Sequence, residues 1–187
     1  LQTREQHIRR EKATSNICTA QALLANMASM YAVYHGPDGL KDIAKRVAIL
    51  AQSLSDELSE LGFENINTHY FDTILIKVKN LAAIKKIAED RRINFYYNGD
   101  LVSISLDETT SQRDVLEIID VFTSSLNEDS ASVGFDADAT LDNLPFHLTR
   151  TTSFLQHPVF NTHHSESEMM RYLKSLENKD LSLNTSM

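Results

Sequence analysis

The chain has 187 residues, 42 % of them hydrophobic, and its 18 basic and 26 acidic side chains give a net charge of −8. The length suggests one domain, and the hydrophobic fraction is sufficient for a core. The acidic balance argues against nucleic acid or an anionic membrane as a partner, because either would need a basic surface. The single cysteine, Cys18, excludes an intrachain disulfide framework and a cysteine-rich zinc site.

Two helices are predicted in the first third of the chain. Residues 20–34 are rich in Ala, Leu and Met around the whole helical circumference, which is typical of a buried helix. The sequence HGPDG at residues 35–39 ends this helix, because Gly and Pro together interrupt regular structure. Apolar residues then recur every three or four positions over residues 40–61, which predicts a long amphipathic helix that ends at Gly62.

An antiparallel block of strands and helices is predicted next. Residues 71–78 have the composition of a strand, and residues 81–88 have helical spacing. Residues 93–97 and 101–106 flank Asn98-Gly99-Asp100, a strong β-hairpin signal. Residues 115–122 predict a further helix, and the acidic residues 127–142 predict a loop.

The sequence changes character near residue 145 and predicts an extended arm. Residues 146–164 are rich in Thr, Ser, His and Phe and lack periodicity, whereas residues 165–176 have helical spacing behind a capped entrance at Ser165 and Glu166. We therefore expect a small α+β subdomain with N-terminal helices over residues 1–144, followed by an arm with a helix over residues 145–187.

The arm concentrates side chains that bind anions or move protons. Its candidates for an active-site rim or an interface, called the rim set below, are Arg150, Thr151, Ser153, His157, His164, Ser165 and Glu166. A polar linker between domains is the alternative interpretation. A metal site is not expected, because His163, His164 and Glu166 have poor spacing for one ion.

The start of the chain offers a second cluster. Arg9, Arg10 and Lys12 are anion-binding candidates in front of a predicted helix N-terminus, although intermixed glutamates are equally typical of a solvated segment. Cys18 is expected to be a small packed residue rather than a nucleophile. None of the nine lysines lies in a context typical of a Schiff-base residue. The sequence also contains no Ser-x-x-Lys, Gly-x-Ser-x-Gly or His-Glu-x-x-His motif, and no catalytic residue is assigned to this chain.

Both ends of the chain contain long, distinctive segments. They are LQTREQHIRREKATSNICT at residues 1–19, RTTSFLQHPVFN at 150–161, HSESEMMRY at 164–172 and LENKDLSL at 176–183. Together, and in this order, they resemble the P-protein family of the glycine cleavage system. Residues 35–144 match in pattern more than in letters. The chain also begins without methionine, and both ends carry dense polar chemistry, so we expect an internal piece of a longer protein.

The resemblance implies a pyridoxal-phosphate-dependent glycine dehydrogenase (decarboxylating), an oxidoreductase of glycine catabolism that passes an aminomethyl group to the lipoyl H-protein. It implies two tandem halves of the aspartate-aminotransferase-like fold type I, of which the later holds the cofactor lysine in a Leu-His-Lys context absent here. The chain would then be the C-terminal small subdomain of the first half, with two helices followed by an antiparallel sheet with helices, plus the arm into the second half.

From this resemblance we expect a fragment that is inactive alone and does not bind pyridoxal phosphate. Its partners would be the remaining half of the enzyme and the H-protein, in a homodimer or pseudo-dimer, in the cytoplasm of a bacterium or the mitochondrion of a eukaryote. The β–α–β–β–α order over residues 71–122 also fits a non-catalytic, ferredoxin-like regulatory or dimerisation module, because a fold does not fix a function.

Overall fold

The computed structural model of this chain describes residues 22–126, 141, 144–179, 181 and 183. Its elements are α1 (Ala22–Glu60), β1 (Glu64–Asn65), β2 (Thr73–Lys77), α2 (Leu81–Asp90), β3 (Tyr96–Asn98), β4 (Leu101–Ser105), α3 (Gln112–Leu126), the 3₁₀ helices Phe146–Leu148 and Pro158–Asn161, and α4 (Glu166–Glu177). The α+β class predicted from the sequence is confirmed.

Helix α1 is interrupted at a single residue, Gly36, whose φ of 66° and ψ of −177° are not helical. Pro37 then begins the second segment, because its ring fixes a helical φ and the first turn of a helix needs no donor from it. The structure thus confirms two helical segments separated at the HGPDG signal, although the separation is one residue rather than a loop.

The four strands form one antiparallel sheet in the order β1-β2-β4-β3. β2 pairs with β4 from Thr73↔Ser105 to Lys77↔Leu101, and β3 pairs with β4 across the predicted turn at Gly99, which has a φ of 62°. Since β4 lies between β2 and β3, the β2–α2–β3 connection is a split β-α-β unit. The sequence analysis missed β1, because two residues are too short to show an alternation.

The main hydrophobic core lies between this sheet, α2, α3 and the second segment of α1. Ile74 and Ile76 of β2 and Val102 and Ile104 of β4 are buried, as the alternation in the sequence predicted. Phe122 of α3 is fully buried and makes an edge-on contact with the ring of Phe63, with 5.0 Å between the ring centroids. Burial of each such side chain contributes about 1.5–3 kcal/mol.

Contacts between Cα atoms divide the chain into two compact units. Unit 1 comprises Leu1–Leu40 and Ser153–Met187, and unit 2 comprises Lys41–Thr152. The core just described belongs to unit 2. Among the described residues of unit 1, Val33 and Gly36 are the buried ones. The predicted division after residue 144 stays a prediction.

The prediction that residues 20–34 form a buried helix was wrong for the part that the structure describes. Residues 22–29 are all exposed, and burial begins at Val33. The helix itself is present and is apolar on all sides, as predicted, but no other described part of the chain packs against residues 22–29. Within these same ranges, no helix is both long enough and apolar enough to cross a membrane.

Candidate functional site

The rim set is divided between the two units. Arg150 and Thr151 lie at the end of unit 2, whereas the other five members lie in unit 1. All seven side chains are exposed, as both a rim and a polar linker require. In unit 2, Nη1 of Arg150 donates a hydrogen bond of 3.2 Å to Oγ1 of Thr152.

Residues 153–161 of the arm form a braced loop in unit 1. Leu155 adopts a left-handed conformation with a φ of 51°, which costs a non-glycine residue about 1–3 kcal/mol unless its surroundings hold it. The amide of Asn161 provides this support, because its Nδ2 donates to the carbonyls of Leu155 at 3.0 Å and His157 at 3.1 Å. Gln156 also donates to the hydroxyl of Ser153. This segment therefore has a defined shape that its lack of periodicity did not reveal.

His157 caps the 3₁₀ helix Pro158–Asn161. Its Nδ1 accepts a hydrogen bond of 3.2 Å from the backbone N–H of Val159. In the neutral ring, an accepting Nδ1 leaves the hydrogen on Nε2. The imidazole therefore has one nitrogen committed to the backbone and one available as a donor.

His164 connects the arm to the first segment of α1 within unit 1. Its Nδ1 lies 2.8 Å from the carbonyl oxygen of Tyr34, a residue 130 positions earlier in the chain. Since a carbonyl only accepts, Nδ1 is the donor, and Nε2 of the neutral ring is free to accept. Both histidines of the rim set thus contact the backbone through Nδ1, but this atom accepts in His157 and donates in His164, so the roles of their Nε2 atoms are also opposite.

Gly36 makes this junction possible for two reasons. A Cβ atom at this position would lie 2.7 Å from the carbonyl oxygen of Phe160 and 2.7 Å from Cε1 of His164. The φ of +66° is also a conformation that only glycine adopts readily. The interruption of α1 and the approach of the arm therefore depend on the same residue.

Ser165 and Glu166 begin α4, as the sequence predicted. The hydroxyl of Ser165 accepts a hydrogen bond of 3.3 Å from the backbone N–H of Glu168, which makes it the N-cap. Glu166 and Glu168 lie in the first turn, where a carboxylate interacts favourably with the positive end of the helix dipole. Both members of the rim set therefore have a structural role at this helix start.

A small cavity of about 270 Å³ lies beside α4 in unit 1. The residues that line it are Thr162, His163, Glu168, Arg171, Tyr172 and Ser175. The ring of His163 stacks on that of Tyr172, with 4.3 Å between centroids and 14° between planes, so His163 acts as one wall. In the parts of the chain that the structure describes, no group of three or more His, Cys, Asp or Glu side chains could hold a metal ion.

A larger cavity of about 540 Å³ lies in unit 2, between α1 and the start of α3. Arg46 lines it and donates to the backbone carbonyls of Glu108 at 3.0 Å and Thr110 at 2.6 Å. Hydrogen bonds from the hydroxyl and the backbone N–H of Ser111 lower the pKa of Asp114. These groups hold the β4–α3 loop, and no spacing in the sequence links Arg46 to a partner more than 60 positions away.

The remaining candidates lie outside the described residues. These are the anion-binding candidates Arg9, Arg10 and Lys12, together with Cys18 and most of the predicted acidic loop.

Comparison with known proteins shows the family to which the chain belongs. A family model described as Glycine cleavage system P-protein matches residues 1–122 of the chain. The chain belongs to this P-protein family. It is 55 % identical over 188 residues to a Glycine dehydrogenase (decarboxylating) of Flavobacterium johnsoniae, and 52 % identical over 189 residues to a Glycine dehydrogenase (decarboxylating) 2 of Pseudomonas putida. Each match covers the whole chain but 20 % of the relative.

A solved structure of the same family supports this assignment. A crystal structure of glycine decarboxylase (P-protein) of the glycine cleavage system, in inhibitor-bound form, matches with a TM-score of 0.54 and 28 % sequence identity. The match covers 67 % of this chain and 31 % of that chain. The chain thus spans about one fifth of the curated P-protein relatives and shares the fold of part of a known P-protein.

We predict that Gly36→Ala releases the arm from α1. The new Cβ would collide with the Phe160 carbonyl and the His164 ring, and the backbone conformation alone would cost about 1–3 kcal/mol. Hydrogen exchange measured by mass spectrometry should show lost protection over residues 153–177. Gly62→Ala is the matched control, since Gly62 has a φ of +83° but nothing within 4 Å of the added Cβ. Equal effects of the two substitutions would contradict a role for the close approach.

Replacement of Ser165 by alanine should fray the start of α4. The lost cap is expected to cost about 1 kcal/mol, and Ser165→Asp should restore it because aspartate is also a good N-cap. Amide exchange of Glu168 and Met169 measured by NMR would report the change. Ser167→Ala, an exposed neighbour within the same first turn, should leave these rates unaltered. Fast exchange in Ser165→Asp as well would argue against capping as the role of Ser165.

Proposed function

We propose that this chain is part of a glycine-decarboxylating P-protein and acts only together with the rest of that protein. The observation that carries the proposal is the end-to-end match, at 55 % identity, to one fifth of a relative named Glycine dehydrogenase (decarboxylating). The activity of such a relative belongs to its whole length, so the chain contributes to the reaction rather than performing it alone.

Within that protein, the chain forms the small C-terminal subdomain of the first aminotransferase-like half and the arm that leads into the second. The braced loop and the His164–Tyr34 hydrogen bond support this role, because they give the arm a fixed shape on α1. The members of the rim set then contribute, each within its own unit, to the active-site rim or to the interface with the second half. Arg150 and the hydroxyls bind anionic groups, whereas His157 and His164 of unit 1 offer a donor and an acceptor nitrogen, respectively.

The parent protein uses pyridoxal phosphate, which takes up the electrons released when a carboxylate leaves. The described residues of this chain do not fit the covalent site of that cofactor. All eight described lysines are exposed, whereas a Schiff-base lysine needs a desolvated or electropositive setting to be reactive. Since the sequence also contains no Leu-His-Lys segment, which the resemblance implies around the cofactor lysine, we assign that lysine to the remaining polypeptide.

The partners that follow from this proposal are the remaining part of the enzyme and the lipoyl H-protein, in a homodimer or pseudo-dimer. The named relatives are bacterial, which favours a bacterial cytoplasm. The net charge of −8 makes nucleic acid and anionic membranes poor partners. The β2–α2–β3–β4–α3 order remains compatible with a ferredoxin-like regulatory module, but no contact among the residues that the structure describes favours that function.

The proposal predicts that activity returns when the chain is mixed with its missing complement. The complement is the other four fifths of the Flavobacterium johnsoniae relative, supplied with pyridoxal phosphate and lipoyl H-protein. Release of labelled CO₂ from glycine is expected from the mixture and from neither polypeptide alone. The proposal fails if the chain alone releases CO₂ or if borohydride fixes stoichiometric pyridoxal phosphate on one of its lysines. It also fails if a full-length chimera, in which the chain replaces the matching fifth of the Flavobacterium johnsoniae relative, stays inactive while the unmodified relative is active.

The rim assignment predicts that His164→Ala and Arg150→Ala lower kcat in the full-length protein. For His164, a loss of about 10²-fold or more corresponds to a missing proton-transfer group. His164→Asn separates the two roles, because its amide can still donate to the Tyr34 carbonyl but cannot move a proton. His147→Ala, an exposed histidine outside the rim set, is the control and should keep full activity. Full activity of His164→Asn would reduce His164 to a structural contact.

A further inference from the structure

The first segment of α1 presents an apolar face that nothing in the described chain covers. Leu23, Leu24 and Met27 are 67 %, 64 % and 59 % exposed. Leu23 and Met27 are four residues apart and lie one above the other on a helix, with Leu24 beside them. No residue from 22 to 34 carries a charge. Contiguous exposed apolar surface of this kind marks an interaction site.

Helix α4, in the same unit, also has exposed apolar side chains on one side. Met169, Tyr172 and Leu176 are half-buried at helical spacing, whereas Met170 and Leu173 are exposed at i and i+3. Since Val33 and Gly36 are the buried residues among those described in unit 1, the described part of this unit lacks the interior that helices need for stability. Unit 2, in contrast, has a core of its own.

We propose that the α1 face, formed by Leu23, Leu24 and Met27, docks on the remaining polypeptide of the P-protein, with Met170 and Leu173 of α4 as a second contact. The inference rests on the proposed function, because it takes that polypeptide to be a P-protein. About four fifths of the relatives' length lies outside the matched region. In the intact protein this polypeptide is tethered to the face at a high effective concentration.

A second copy of the chain is the less favourable occupant. Two copies with a net charge of −8 each repel one another. The face also has no charged residues, so ion pairs could not fix the alignment of two copies of this helix against each other. An uncharged, strongly apolar face is instead typical of permanent interfaces that resemble a protein interior.

The decisive experiment measures binding of the chain to the complementary polypeptide of the Flavobacterium johnsoniae relative by titration calorimetry. Met27→Glu should weaken Kd at least ten-fold. The matched control is Leu116→Glu on α3 of unit 2, where the leucine is 44 % exposed, and this variant should bind within two-fold of the unmodified chain. Both positions are exposed, so circular dichroism should show that each variant remains folded.

Peroxide footprinting provides a readout without substitutions. Oxidation of Met27 and Met170, followed by mass spectrometry, should be at least ten times slower in the complex and in the full-length chimera than in the chain alone. Equal oxidation rates, or equal binding by Met27→Glu and the unmodified chain, would overturn the docking face. If CO₂ release is restored in that case, the proposed function still stands.

The remaining outcomes also decide the proposal. Sedimentation that reveals a dimer of the chain alone, lost in Met27→Glu, would assign the face to a second copy and overturn the inference. A failure of the unmodified chain to bind its complement would overturn it as well. Glycine decarboxylation by the full-length chimera would then test the proposed function separately.

Discussion

The organisation of unit 1 depends on one close approach between backbone and side chain. Gly36 leaves space for the carbonyl of Phe160 and the ring of His164 at distances that no Cβ would tolerate. The same residue interrupts α1 two positions after Tyr34, whose carbonyl oxygen lies 2.8 Å from Nδ1 of His164. A missing side chain thus allows two segments far apart in the sequence to share one hydrogen bond.

The two units satisfy their apolar side chains in different ways. Unit 2 covers its alternating strand residues with α2, α3 and the second segment of α1. Arg91 adds polar connections from the end of α2 to Asp120 and Ser124 of α3. Unit 1 instead has apolar helix faces in contact with solvent and a loop whose shape comes from hydrogen bonds to Asn161. The chain matches only one fifth of its relatives' length, so we expect it to contain both a core of its own and apolar surface that the rest of such a protein would cover.

Sequence reasoning was successful where the physical cause is local or periodic. The alternation through Ile74 and Ile76, the turn at Gly99 and the cap at Ser165 each depend on neighbouring residues, and each was found. It failed where the cause lies elsewhere in the chain. Nothing near Tyr34 indicates a histidine 130 positions later, and apolar composition around residues 22–29 says that a helix needs covering but not what covers it.

The candidate site shows the same limit. Composition identified the arm as a stretch of side chains that bind anions or move protons. The roles of these side chains follow from hydrogen bonds, which composition cannot predict. Ser165 belongs to a helix cap, whereas His157 and His164 each commit one nitrogen to the backbone. Gly36 was recognised only as a helix terminator, because its second role depends on the arm.

The discontinuity of unit 1 has a consequence for the order in which the molecule forms. During synthesis, the first segment of α1 leaves the ribosome before any of unit 2, and its partner His164 follows 130 residues later. At ~5–20 residues per second, this interval lasts on the order of ten seconds. Unit 2 has all its strands and helices available earlier and is free to collapse first. During this interval the first segment of α1 lacks its contact with the arm, and apolar segments that are transiently exposed in this way are the kind that chaperones bind.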